Sequence, residues 1–139
     1  MSSKKIIIIN GPNLNLLGQR QPEIYGNVSF EDFLTNLQHE FPEIKIDYIQ
    51  SNDEGELVTK IQNCAQYDGM IINAAAYSHT SIAIADSLAF LKIPIIEVHI
   101  SNIFARESFR HHSYISAHCK AVICGLGLNG YSVALQHLI

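Results

Sequence analysis

Charge is scarce in this chain. Asp, Glu, Lys and Arg make up 16% of its 139 residues, against roughly 25% in an average soluble protein. So few charges on a small domain predict that part of the surface is covered by another subunit. The charge present has the wrong sign for a polyanionic partner. The net value is −4 and no Lys/Arg cluster or basic stripe occurs, which argues against nucleic acid and anionic membrane. Cysteine is also sparse. Cys64, Cys119 and Cys124 are an odd set without a CxxC spacing, which disfavours a disulfide framework and a zinc ribbon. They read as small buried residues in a reducing compartment. No apolar run reaches the roughly 20 residues of a membrane span. The Ile6–Ile9 run is too short for a signal peptide and stops at Asn10-Gly11-Pro12. The cytoplasm is the expected location. Linkers, repeats and low-complexity segments are missing too, so residues 1–139 read as a single domain.

What is present is alternation. Short apolar or alternating runs predict strands at Ile6–Ile9, Lys45–Gln50, Gly69–Asn73, Ile95–Ile100 and Ala121–Gly125. Between them lie helical patterns. Ser29-Phe30-Glu31-Asp32 fits a capping box, with Phe30, Phe33, Leu34, Leu37 and Phe41 on one face and Pro42 as the stop. Ser51-Asn52-Asp53 caps a second helix whose inner face is Leu57, Val58, Ile61, Cys64 and Ala65. Thr80–Leu91 is apolar all round, with only Ser81, Asp86 and Ser87 polar, and is expected at a subunit interface. A short helix near Ser113–Ala117 and a last one over Gly130–His137 complete the pattern. Strict β-α alternation predicts an α/β three-layer sandwich around a five-stranded parallel sheet, in the flavodoxin-like order 2-1-3-4-5.

In such a sheet the ligand sits beyond the carboxyl ends of the strands. Strand one leads into Asn13, strand three into Asn73 and His79, and strand four ends at His99-Ile100-Ser101. Glu97 and His99 lie two apart, so they share a face of strand four. A carboxylate in a buried strand requires a partner. Paired with His99 it would fix the imidazole tautomer and favour the imidazolium, which suits a general acid. The alternative is a satisfied buried ion pair without chemistry. The long polar loop after strand one carries Arg20 and Tyr25; loops of this length are usually functional or disordered. It is expected to be an active-site lid, against the plainer reading of an inert Ω-loop with Tyr25 as its anchor. Arg110 is placed to clamp a carboxylate or hydroxyls, or else is simply solvated. His111, His112 and His118 match no usual zinc spacing, so no metal site is expected. Gly125–Gly130 fits GxGxxG, but the sequence then runs only to Ile139, leaving no second strand or ribose-binding acid. Those glycines are expected to serve tight strand-to-helix packing.

These segments together resemble type II 3-dehydroquinate dehydratases. GPNLNLLG at Gly11–Gly18, Arg20, Pro22 and Tyr25-Gly26 open the pattern. IIN…YSHTSIAIADSL at Ile71–Leu88, IEVHISN at Ile96–Asn102, RESFRHHSYIS at Arg106–Ser116 and GLGLNGY at Gly125–Tyr131 follow in order. The resemblance implies a single catalytic domain of flavodoxin-like fold, without cofactor or metal, assembled as a dodecamer (a tetramer of trimers). It implies a lyase of the shikimate pathway that removes water from 3-dehydroquinate. Tyr25 would take the proton beside the ketone, with Arg20 holding the phenolate. Asn13 would stabilise the enolate, and His99, oriented by Glu97, would protonate the departing hydroxyl. Asn73, His79 and Arg110 would bind ring hydroxyls, and the backbone N–H groups of Ile100 and Ser101 the carboxylate. Asp86 would reach the site from a neighbouring subunit. The sequence departs from the family at Ala74-Ala75, where Pro-Gly is usual, at Gln21 and at Ala85. The competing readings are a flavodoxin-like binding module without catalysis and a zinc hydrolase using the histidines.

Overall fold

Isoleucine-rich runs broken by turn residues leave this chain one way to hide its apolar surface, a sheet covered on both faces. The computed structural model describes residues 3–19 and 27–139. In chain order the elements are β1 (Lys5–Asn10), α1 (Phe30–Glu40), β2 (Lys45–Gln50), α2 (Glu54–Gln62) and β3 (Gly69–Asn73). Then come α3 (Ile82–Ala89), β4 (Ile95–His99), β5 (Ala121–Cys124) and α4 (Asn129–Leu138). The strands run in the order β2-β1-β3-β4-β5, and every neighbouring pair is parallel. This is the predicted flavodoxin-like topology.

The period-two alternation of each strand divides the core in two. Ile6, Ile8, Ile71, Ile96 and Val98 face Phe30 and Leu37 of α1 and Tyr131, Leu135 and Leu138 of α4. Ile7, Ile9, Met70, Ile72 and Ile95 face Leu57 and Ile61 of α2 and Ile84 and Leu88 of α3. Each isoleucine fully withdrawn from water contributes about 1.5–3 kcal/mol. The helix starts follow the sequence signals. Ser29 accepts from the Asp32 N–H at 3.2 Å, Asp53 from the Glu56 N–H at 2.9 Å, and Ser81 from the Ile84 N–H at 2.9 Å.

Several boundaries differ from the sequence reading. α2 stops at Gln62, so Cys64 packs from the following turn and Ala65 is exposed. α3 is shorter than Thr80–Leu91, because the Ser81 cap sets its start. Ala75–His79 is a 3-10 helix rather than a loop. The helix expected near Ser113–Ala117 is a single 3-10 turn at Ser116–His118. Ser113 and Ser116 both spend their hydroxyls on Glu97, and such side-chain bonds compete with helix formation. Among the described residues, the largely apolar α3 is covered by its own chain on one side. Ile84 and Leu88 are buried, whereas Ile82 is 59% and Phe90, at its C-terminal end, 86% exposed. No helix among the described residues is long and apolar enough to cross a membrane.

Candidate active site

The carboxyl ends of β1, β3 and β4 meet at a cavity of about 350 Å³, a size suited to a small organic ligand. The turn after β1 approaches β3 closely: the Gly11 N–H donates to the Asn73 carbonyl at 2.7 Å. A Cβ at Gly11 would lie 2.5 Å from the Ala74 carbonyl oxygen, so only glycine fits. Asn13 follows in the left-handed conformation, φ 70°, which asparagine tolerates better than most residues. Its N–H donates to Asn52 Oδ1 at 3.0 Å, and Gln50 Nε2 donates to the Gly11 carbonyl at 3.1 Å. The edge of the sheet thus holds Asn13 at the cavity rim.

Of the residues expected at the site, Asn13, Asn73, His79, His99, Ile100, Ser101 and Arg110 all line this cavity. Glu97 lies behind His99 and is fully buried. Asp86 is exposed on α3, away from the cavity. Arg20 and Tyr25 lie outside the described residues.

The Glu97–His99 contact has the geometry that the spacing predicted. His99 Nε2 meets Glu97 Oε2, which leaves Nδ1 as the ring nitrogen free to pass a proton. Ser113 donates to the same carboxylate oxygen at 2.7 Å, and Ser116 donates to Oε1. Burial pushes the Glu97 pKa up, but the hydrogen bonds from His99 and Ser116, the His99 charge and the Ser113 hydrogen bond outweigh it. The carboxyl is held below its ordinary range. The strand therefore carries an ionised carboxylate in its core, tied by three donors.

His79 stacks on His99 with ring centroids 5.9 Å apart. His79 Nδ1 lies 2.8 Å from the His112 carbonyl oxygen. A carbonyl only accepts, so Nδ1 carries the proton and the Nε2 of the neutral ring is an acceptor. Burial lowers the His79 pKa, and its hydrogen bond to His112 only partly opposes this. His79 thus lines the cavity as a neutral acceptor at neutral pH.

The opposite wall is basic. Arg110 pairs with Glu107 at 3.0 Å and lies over the Phe109 ring at 5.0 Å. Arg106 donates to Ser101 Oγ at 3.2 Å. Two guanidinium groups against one exposed carboxylate favour an anionic ligand. The other histidines serve the loop: His111 Nε2 lies 3.1 Å from the Arg106 carbonyl, and His112 packs edge-on against Tyr114. The GxGxxG segment also supports the site. Gly125 N–H donates to the His99 carbonyl at 3.2 Å and Gly127 N–H to that of Ile100 at 3.0 Å. A Cβ on Gly130 would press on Val98 at 3.3 Å and Ile123 at 3.4 Å. Gly130 thus shows the tight strand-to-helix packing expected of this segment, whereas Gly125 and Gly127 serve the turn at φ 90° and 61°, and a Cβ on Gly127 would meet nothing within 4 Å.

Arg106 and Glu107 line the cavity and Ser113 and Ser116 hold Glu97, but the sequence reading gave none of the four a role at the site. The three-residue spacing of Ser113 and Ser116, in a chain whose buried Glu97 has further lone pairs to satisfy beyond His99, was the available signal.

The arrangement is an acid paired with imidazole, amide donors, a neutral imidazole acceptor and a cationic wall around a small cavity. Residues 4–139 match the model of the family described as dehydroquinase class II. A 3-dehydroquinate dehydratase from Psychromonas ingrahamii is 51% identical, covering 97% of this chain and 93% of the relative. One from Aeromonas hydrophila is 52% identical, covering 97% and 93%. The crystal structure of type II dehydroquinase from Propionibacterium acnes superposes with a TM-score of 0.93 at 46% identity, covering 98% of this chain and 96% of that one. With the family model matching residues 4–139, relatives about half identical over nearly the whole of both chains and the same fold, this chain belongs to the type II dehydroquinase family.

Proposed function

We propose that this chain is a hydro-lyase that converts 3-dehydroquinate to 3-dehydroshikimate through an enolate, in the shikimate pathway. The observation that carries it is the buried Glu97–His99 pair opening onto a cavity where Asn13, Asn73, His79 and Arg110 converge. The ketone acidifies the neighbouring C–H. Tyr25, assisted by the Arg20 guanidinium, takes that proton, and the charge moves to the ketone oxygen, where Asn13 meets it. His99 then delivers a proton to the leaving hydroxyl, which departs as water while the enolate collapses to the conjugated enone. Glu97 fixes the His99 tautomer and supplies its counter-charge. The Asn73 amide and the His79 acceptor bind ring hydroxyls together with Arg110, and the Ile100 and Ser101 backbone binds the carboxylate. The basic wall of Arg106 and Arg110 suits the carboxylate of this substrate.

We assign Asp86 to a neighbouring subunit's site. The exposed apolar surface of Ile82 and Phe90 supports a homo-oligomer, a dodecamer built as a tetramer of trimers, working in the cytoplasm. The purified chain with 3-dehydroquinate is expected to generate the ultraviolet absorbance of the enone, and His99→Ala to abolish it. No absorbance growth with the wild-type chain would return the protein to a ligand-binding module on the same scaffold.

A further inference from the structure

Among the described residues Tyr131 is the largest side chain sealed from solvent, and its hydroxyl is wired to the cavity. The wiring has one direction. The Ala75 backbone N–H donates to Asn73 Oδ1 at 3.1 Å, and a backbone N–H cannot reverse its role. That bond fixes Nδ2 as the Asn73 atom facing Tyr131, and Nδ2 donates to the phenol oxygen at 2.9 Å. The phenol proton then goes to Asn10 Oδ1 at 2.7 Å, and Asn10 Nδ2 points at Tyr48 Oη at 3.4 Å. Asn73 keeps one N–H and one lone pair beyond these bonds, and Asn73 lines the cavity.

We propose that Tyr131 is a positioning residue for the substrate: its phenol anchors Asn73 Nδ2 and, with the Ala75 N–H on Oδ1, holds the rotamer of the carboxamide, so that a ring hydroxyl meets an N–H of set direction. This rests on the assignment of Asn73 as a substrate contact. Bonds in series in a low-dielectric core polarise one another: the Ala75 N–H on Oδ1 strengthens the Asn73 N–H donors, and the phenol's bond to Asn10 strengthens its hold on Nδ2. Without the phenol, the Nδ2 side of the carboxamide loses its partner, and the group, still held at Oδ1 by the Ala75 N–H, is less tightly fixed. The ring itself is held independently of its hydroxyl. Phe30 meets it edge-on with centroids 4.9 Å apart, and Phe33 lies 6.0 Å away. Tyr131→Phe therefore removes one oxygen and keeps the packing.

The test is a double-mutant cycle on Tyr131→Phe and Asn73→Ala, with wild-type turnover of 3-dehydroquinate measured first. Tyr131→Phe is expected to raise KM roughly tenfold, the loss of about one hydrogen bond, and to change kcat less than about threefold. In the Asn73→Ala background the same substitution is expected to leave KM unchanged. A wild-type KM for Tyr131→Phe, or an equal KM rise in both backgrounds, overturns the proposal. A second readout needs no turnover. The ¹⁵N side-chain amide signal of Asn73 is expected to shift and broaden in Tyr131→Phe; an unmoved, sharp signal also overturns it. An inactive wild-type enzyme with a displaced Asn73 signal would sink the dehydratase reading and leave the Tyr131–Asn73 link standing.

Discussion

At the scale of single residues, the most telling position is Ala75. It sits at φ 53°, in the left-handed region where an L side chain costs of order 1–3 kcal/mol. Glycine is usual here in the family, so the chain retains the turn without the residue that relaxes it. The turn persists because the Ala75 N–H is held by Asn73 Oδ1 at 3.1 Å and Ala75 packs against the core. Ala75→Gly relieves the strain but adds about 0.4–1 kcal/mol of unfolded-state freedom. The expected net gain is about 1 kcal/mol, read as a higher urea midpoint with an unchanged slope. A lower midpoint would show that the strain is already relaxed. The departure was visible in the sequence as Ala74-Ala75. Its cost was not, because a positive φ is set by how β3 turns into the cavity.

At the scale of elements, β4 shows what a sequence reveals and what it withholds. A period of two placed Glu97 and His99 on one face, and their contact follows from that spacing. Asn13, Asn73 and His79 were legible for the same reason, since strand ends in a parallel sheet converge. The partners on the far side of Glu97 were not legible. Ser113 and Ser116 arrive from a stretch that reads as a short helix, and only the fold brings them to the carboxylate. Tyr131 was hidden likewise: it sits on α4, and an aromatic there reads as core until its hydroxyl is traced.

The same element carries a pH prediction. The Glu97 pKa is lowered in the fold, so its stabilising effect is fully present above the ordinary carboxyl value of about 4.3. It is lost as pH falls through the folded value. A hydrogen bond to a charged group contributes about 1.5–3 kcal/mol. Ser116→Ala is therefore expected to be less stable than wild type by about 2 kcal/mol at pH 7. That gap should narrow as the pH drops well below 4.3 and Glu97 is protonated in both. His79 acts in the same direction in both proteins: its lowered pKa costs stability as pH falls below about 6.5, so it cancels in the difference. Denaturation curves across this range decide the matter, and a constant gap would mean that Ser116 acts through packing rather than through the carboxylate charge.

At the scale of the whole molecule, α3 poses the question of assembly. Its polar Asp86 and its flanking Ile82 and Phe90 face outward, while the cavity lies at the strand ends. If Asp86 completes a neighbour's site, then a chain lacking Asp86 and a chain lacking His99 each fail for different reasons, and one can repair the other. In a mixed oligomer, an intact site needs its own chain to carry His99 and its neighbour to carry Asp86. Random mixing of Asp86→Ala and His99→Ala chains in equal amounts satisfies each condition about half the time, so about a quarter of wild-type turnover is expected after co-refolding, because subunits in closed symmetry repeat one interface. Each variant alone is expected to be nearly inactive, and mixing without dissociation should restore nothing. If co-refolded mixtures stay as inactive as their components, Asp86 acts within its own chain or not at all, and the exposed face of α3 has some other purpose than completing a site.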